Sequence, residues 1–184
     1  MLKSTFGRTL AALVMLLALA GTTSLMAQTR AKIGVGGGGT LALGDFGDAF
    51  KTGWHGQVMA VFDLPAFPVD IRVDGQYGEH KDDITGDVKT KLITGMVGAQ
   101  VPLGPPGSPA KPYLTAGVGV TNIDVSVGSV SASTTEFAIG GGGGVTFSLG
   151  SVSLFIEARF MNAFTDGGST TFIPITGGIL FGGK

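Results

Sequence analysis

The sequence predicts an all-β fold, an eight-stranded antiparallel up-and-down transmembrane β-barrel. Three observations predict it. After the N-terminus the chain divides into eight extended segments, each near the ~9–11 residues of a tilted membrane-spanning strand. Charged residues in those segments keep to one strand parity, which places them on one face of the sheet. The connections alternate between long polar loops and short turns, the pattern expected when one barrel end faces outward and the other inward.

Residues 1–27 read as a signal peptide. Lys3 and Arg8 supply a basic n-region, LAALVMLLALA (10–20) is an uncharged apolar run, and GTTSLMA (21–27) precedes a cut after Ala27. A cut after Ala20 is the alternative, because Ala18-Leu19-Ala20 fits the small-x-small rule. The run is short of the ~20 residues that a spanning helix needs. Removal leaves residues 28–184 as one barrel domain with ten basic and 13 acidic residues, a net charge of −3 that gives nucleic acid nothing to hold. With no cysteine, neither a lipid anchor on Cys nor a disulfide nor a thiolate metal site is available.

Only 14% of the residues are charged against a typical ~25%, and there are 33 glycines where average usage gives roughly 13. No apolar run after the signal reaches helix-spanning length. Contact with lipid therefore requires a closed barrel, the other arrangement that satisfies every backbone group in hydrocarbon.

The expected strands are 31–43, 54–64, 68–78, 89–101, 112–123, 135–148, 151–164 and 171–181. β-branched residues and Gly interrupt every candidate helix window. Polar loops follow the odd strands: GDFGDAFKTG (44–53), EHKDDITGD (79–87), DVSVGSVSAST (124–134) and TDGGST (165–170). AFP (65–67) and Leu149-Gly150 are short turns. LGPPGSPAK (103–111) is long for an inner turn, and its length has no explanation at this level.

In the second strand Val58, Ala60, Phe62 and Leu64 oppose His55, Gln57 and Asp63. In the third, Val69, Ile71, Val73 and Tyr77 alternate with Asp70, Arg72, Asp74 and Gln76. In the seventh, Val152, Leu154, Ile156, Ala158 and Phe160 alternate with Ser153, Glu157 and Arg159. An eight-stranded barrel has an interior just wide enough for side chains to fill. Asp70, Arg72, Asp74, Glu157 and Arg159 are therefore expected to form a lumen charge network, since buried charges need partners. An outward Arg at mid-membrane would cost ~2–4 kcal/mol, which the parity avoids. Lys89 and Lys91 share the apolar parity of the fourth strand but sit at its loop end, at headgroup level. Trp54, Phe62, Tyr77 and Tyr113 suit interfacial girdles, although Tyr113 has inward parity.

Gly36–Gly39 and Gly140–Gly144 form two runs, and Gly34, Gly36 and Gly39 carry G-x-G-x-x-G spacing. No helix follows, so a dinucleotide site is not supported. Inward glycines instead leave room for bulky lumen side chains or mark bends.

KPYLTAGVGV (111–120), FAIGGGGGVTFSLG (137–150) with SLFIEARF (153–160), and TFIPITGGILF (171–181) resemble the small outer-membrane β-barrel domain family, OmpA-type transmembrane domains and their single-barrel relatives. The resemblance covers about residues 31–181. It implies that Phe181 is the terminal aromatic read by the barrel-assembly machinery, though Gly182, Gly183 and Lys184 follow it; longer relatives carry a peptidoglycan-binding domain after the barrel, and none is expected here, so wall anchoring is not implied.

His55, inward, and His80, in the second outer loop, are the histidines available, and no catalytic constellation surrounds either on one strand. Asp82, Asp83 and Asp87 lack EF-hand spacing and suit a solvated loop bridged to lipopolysaccharide by divalent cations. No cofactor or protein metal site is expected. The expectation is a non-enzymatic, monomeric barrel of the bacterial outer membrane, in a structural or surface-interaction role. Its partners would be outer-membrane lipid and lipopolysaccharide, with the assembly machinery during biogenesis. The alternatives are a carrier for small hydrophobic compounds and a soluble periplasmic lipocalin-like binding barrel.

Overall fold

Alternating apolar and polar residues fix which face of each strand is lipid-compatible, and eight such strands leave no edge once the first meets the last. The computed structural model describes residues 30–49, 52–64, 67–81, 88–105, 107–128, 130–165 and 168–182. The strands are β1 (Arg30–Leu43), β2 (Gly53–Asp63), β3 (Asp70–Lys81), β4 (Val88–Pro102), β5 (Ala110–Val127), β6 (Val130–Leu149), β7 (Val152–Thr165) and β8 (Gly168–Gly182). They form one closed antiparallel barrel in chain order. Closure comes from β1 against β8, in register from Lys32↔Gly182 to Leu43↔Thr171. No described helix is long and apolar enough to cross a membrane. Residues 1–29, which hold the expected signal, lie outside the described residues.

Burial alternates along β3 and β7 with a period of two, and Asp70, Arg72, Asp74, Glu157 and Arg159 all fall in the buried set. Outward, Ile33, Val58, Val97, Val118, Ile156 and Phe160 expose about half of their surface, an apolar band of the kind that outer-membrane barrels turn to lipid. Aromatic pairs mark the upper rim of this band: Trp54 lies 5.7 Å from Tyr77, and Phe137 stacks on Phe164 at 6.0 Å.

Two connections differ from the sequence expectation, and a third, the Pro-rich one, has a length that the sequence does not explain. Residues 124–134 are not a long loop: β5 and β6 stay paired up to Val127↔Val130, around a turn that includes Gly128 at φ 57°. Val125 and Val127 continue the β-branched run, and two strands that remain in register need no loop between them. Residues 45–49 wind into one helical turn, α1 (Asp45–Ala49), anchored by Asp48 N–H donating to the Gly44 carbonyl at 3.0 Å. The Pro-rich inner connection is docked rather than loose. The Leu103 N–H donates to the Pro112 carbonyl, and the Ser148 N–H donates to the Pro109 carbonyl, both at 2.8 Å. Both bonds carry the β4–β5 and β5–β6 ladders one step beyond Pro102↔Tyr113 and Ala110↔Phe147.

Candidate functional site: the filled lumen

The ionic cluster is built by parity. Arg72 and Asp74 are two apart on β3 and so share its inward face, as do Glu157 and Arg159 on β7. The two strands lie across the barrel from each other, and the side chains meet in the middle. The Arg72 guanidinium forks onto Glu157 through Nη1 to Oε2 and through Nη2 to Oε1, the latter at 2.9 Å. Its Nε donates to Asp74 Oδ1 at 2.8 Å. Arg159 Nη1 donates to both Asp74 oxygens at 2.9 and 3.0 Å, and its Nε stands 3.1 Å from Glu157 Oε1 without hydrogen-bond alignment. Two cations and two anions therefore cancel within one closed ring. The geometry is the bidentate kind that makes such burial tolerable.

Asp70 stands apart. It closes no ion pair with a described residue and lies at the inner mouth, in a cavity of about 160 Å³ that it shares with Lys32, Gln100 and Lys111. Phe181 faces outward on β8, between Ile33 of β1 and Val152 of β7.

Residues not singled out for the network complete it. Tyr113 is buried, not part of a girdle; its hydroxyl donates to Glu157 Oε2 at 2.9 Å. Its inward parity was the available signal, and parity outweighs the preference of Tyr for interfaces. Gln57 Oε1 accepts from Arg159 Nη2 at 3.2 Å. Above it, His55 is clasped by Thr40 Oγ1 at Nδ1 and Thr176 Oγ1 at Nε2, each at 2.8 Å. A polar column thus runs from Tyr113 up to Thr40.

His80 is a correction. It is on β3 rather than in a loop and is 1% exposed, edge-on to the Phe46 ring of α1 at 5.1 Å. β3 runs to Lys81, and the even parity that turns Arg72 inward turns His80 inward too. Phe46 joins Leu92, Met96, Ile123, Met161 and Phe172 in an apolar cluster under the outer mouth. Near the inner end Met59, Val61, Phe155 and Leu180 form a second cluster. Beside the charges, a pocket between Arg72, Arg159 and Met96 holds about 10 Å³, the least that admits one water. Among the described residues no group of three or more His, Asp or Glu could hold a metal ion. Asp82, Asp83 and Asp87 lie outside the described residues.

The glycines make this filling possible. A Cβ on Gly36 would sit 2.9 Å from Phe155 Cζ, and one on Gly144 would sit 2.6 Å from the Tyr113 hydroxyl. Bulky inward residues are seated against bare backbone.

The model of the outer membrane protein beta-barrel domain matches residues 10–173. No curated protein matches the chain significantly in sequence. Among solved structures, Neisserial surface protein A is similar at a TM-score of 0.66 and 18% identity, over 83% of this chain and 96% of that one. A major outer membrane protein from Thermus thermophilus is similar at 0.60 and 12%, over 84% and 99%. OprG from Pseudomonas aeruginosa is similar at 0.56 and 13%, over 84% and 94%.

Proposed function

The chain belongs to the outer membrane protein beta-barrel domain family, and from that premise we propose a sealed, non-enzymatic barrel of the bacterial outer membrane that acts through its outer wall and surface segments. The observation that carries this reading is the closed ring of Arg72, Glu157, Asp74 and Arg159 with about 10 Å³ beside it. A solute or hydrated ion crossing this layer would have to break charge-assisted hydrogen bonds in a low-dielectric interior. Residues 1–27 are proposed as the cleaved signal and Phe181 as the aromatic read during assembly, with a monomeric barrel as the product.

Neither alternative gains support. A lateral gap for hydrophobic compounds at the glycine runs would need unpaired backbone there, yet β1 pairs with both β2 and β8, and β6 with both β5 and β7, straight through those runs. A soluble binding barrel would turn an apolar surface to its lumen and a polar one to water, the inverse of this arrangement.

The test is current through a planar bilayer. Folded protein, verified by a heat-dependent gel shift, is expected to give no stable conductance, and a steady ohmic current would overturn the sealed-lumen reading. Mass measurement of the purified mature protein checks the signal: cleavage after Ala27 leaves Gln28 as the first residue.

A further inference from the structure

The outer wall is not uniform. Across β1 to β4, outward-facing glycines lie side by side: Gly37 opposes Gly56, and Gly75, diagonal to Gly56, opposes Gly95. Around Gly56 and Gly95 a Cβ would meet nothing within 4 Å. The missing side chains leave a depression of about 660 Å³, walled on its lipid side by Ile33, Val58, Val73, Val97, Val118 and Val120. A second depression, of about 500 Å³, continues it upward past Gly56 to Tyr77 and Ile93.

Directly above, on the same outward face of β3 and β4, the paired residues become charged. Glu79 opposes Lys91, and Lys91 opposes Asp124 on β5, so this lysine stands between two carboxylates. One step higher Lys81 opposes Lys89, whose neighbour on β5 is the neutral Ser126. Like charges directly opposite one another are destabilising. Neither lysine closes an ion pair among the described residues, and both are exposed. An anion between them turns a repulsion into a site.

Distance ties the two parts together. From Gly75/Gly95 to Lys81/Lys89 is six positions, ~20 Å along a strand at ~3.4 Å per residue. At a tilt of ~40° this projects to ~15 Å, half of the ~30 Å hydrocarbon core. A lipid whose phosphate rests on the lysine pair reaches the depression with its acyl chain.

We propose that this face of β2 to β4 is a binding site for one molecule of lipopolysaccharide, its phosphate held by Lys81 and Lys89 and an acyl chain lodged over Gly56, Gly75 and Gly95. The occupant is the phosphorylated glycolipid of the outer leaflet because the lysines stand at the end where residues 44–52 connect β1 to β2 and where β6 runs past β7 from Val130 to Glu136, the projecting end that is read as outward. The site rests on the outer-membrane reading above.

Folded barrel in detergent micelles is titrated with purified lipid A, with dephosphorylated lipid A and with phosphatidylglycerol, and bound lipid is counted by native mass spectrometry. Lipid A is expected to bind in preference to both others. Lys81→Gln/Lys89→Gln should weaken it about 30-fold, each lysine being worth roughly fivefold at a membrane surface. Gly95→Val, whose Cβ would meet nothing within 4 Å and whose methyls would occupy the depression, should weaken phosphorylated and dephosphorylated lipid A alike, by several-fold. Lys111→Gln, at the opposite mouth, should change neither. Lipid A binding that is indifferent to both the lysine and the glycine variants overturns the site. So does phosphatidylglycerol binding that is equally tight and equally lysine-dependent, since the face then selects any anionic lipid. Each variant is first checked for the heat-dependent gel shift. A wild-type chain without that shift overturns the barrel reading itself, whereas shifted protein that ignores these substitutions overturns the lipid site alone.

Discussion

Gly36 and Gly56 sit on adjacent strands of one wall, and they are glycine for opposite reasons. At Gly36 an added methyl would lie 2.8 Å from the Gly177 carbonyl and 2.9 Å from the Phe155 ring, whereas at Gly56 it would meet nothing. The inner face is closely packed around a charge ring that supplies its own partners. The outer face is a boundary whose remaining contacts the lipid must supply. One residue type therefore marks a steric demand inside and a vacancy outside, and the same contrast extends to charge. Arg72 is held by Glu157 and Asp74 inside, while Lys81 and Lys89 face each other outside with no ion pair among the described residues.

The sharpest way to break the contrast is to orphan an inner charge. Arg72→Met should lower stability by about 3–5 kcal/mol, the cost of leaving buried partners uncompensated, read as the urea midpoint of the barrel folded into vesicles. Adding Glu157→Gln to it should recover part of that loss. If Arg72→Met alone were neutral, the lumen would have to be wet. Next comes charge on the wrong side: Val97→Arg, mid-wall and half exposed, should cost ~2–4 kcal/mol in the same assay. A smaller effect is expected from Gly36→Ala, about 1–3 kcal/mol for overpacking against backbone that cannot move aside. Smallest, and opposite in sign, is Gly56→Ala, which should be neutral or stabilising by ~0.5–1 kcal/mol because glycine is intrinsically poor in a strand. Equal penalties for Gly36→Ala and Gly56→Ala would erase the distinction between the two faces.

Much of this was legible beforehand. The period-two pattern in Asp70-Ile71-Arg72-Val73-Asp74 and in Glu157-Ala158-Arg159-Phe160 needs no tertiary information, because a strand turns alternate side chains to opposite faces. Arg72, Asp74, Glu157 and Arg159 could therefore be nominated together, and the closed geometry does bring them into one ring. Height along the barrel was harder to read. Asp70 shares their parity but lies at the inner mouth, since its place on β3 is one step below Arg72 and the guanidinium points upward to Asp74. Tyr113 and Gln57 had legible inward parity but no charge to nominate them, and Thr176 enters from β8, which has no charged residue. Phe46 could not be seen at all. It reaches the core from a single helical turn inside a segment whose composition reads as a loop.

The sequence by itself determined that strands would form, how many, and which side of each would meet lipid, because backbone geometry and the alternation of apolar with polar residues are local properties. The tertiary structure decided which inward groups meet. Shear and closure set the height at which Glu157 on one strand finds Arg72 across the lumen, and that depends on the register of every strand between them. Register is a property of pairs, and no single strand carries it.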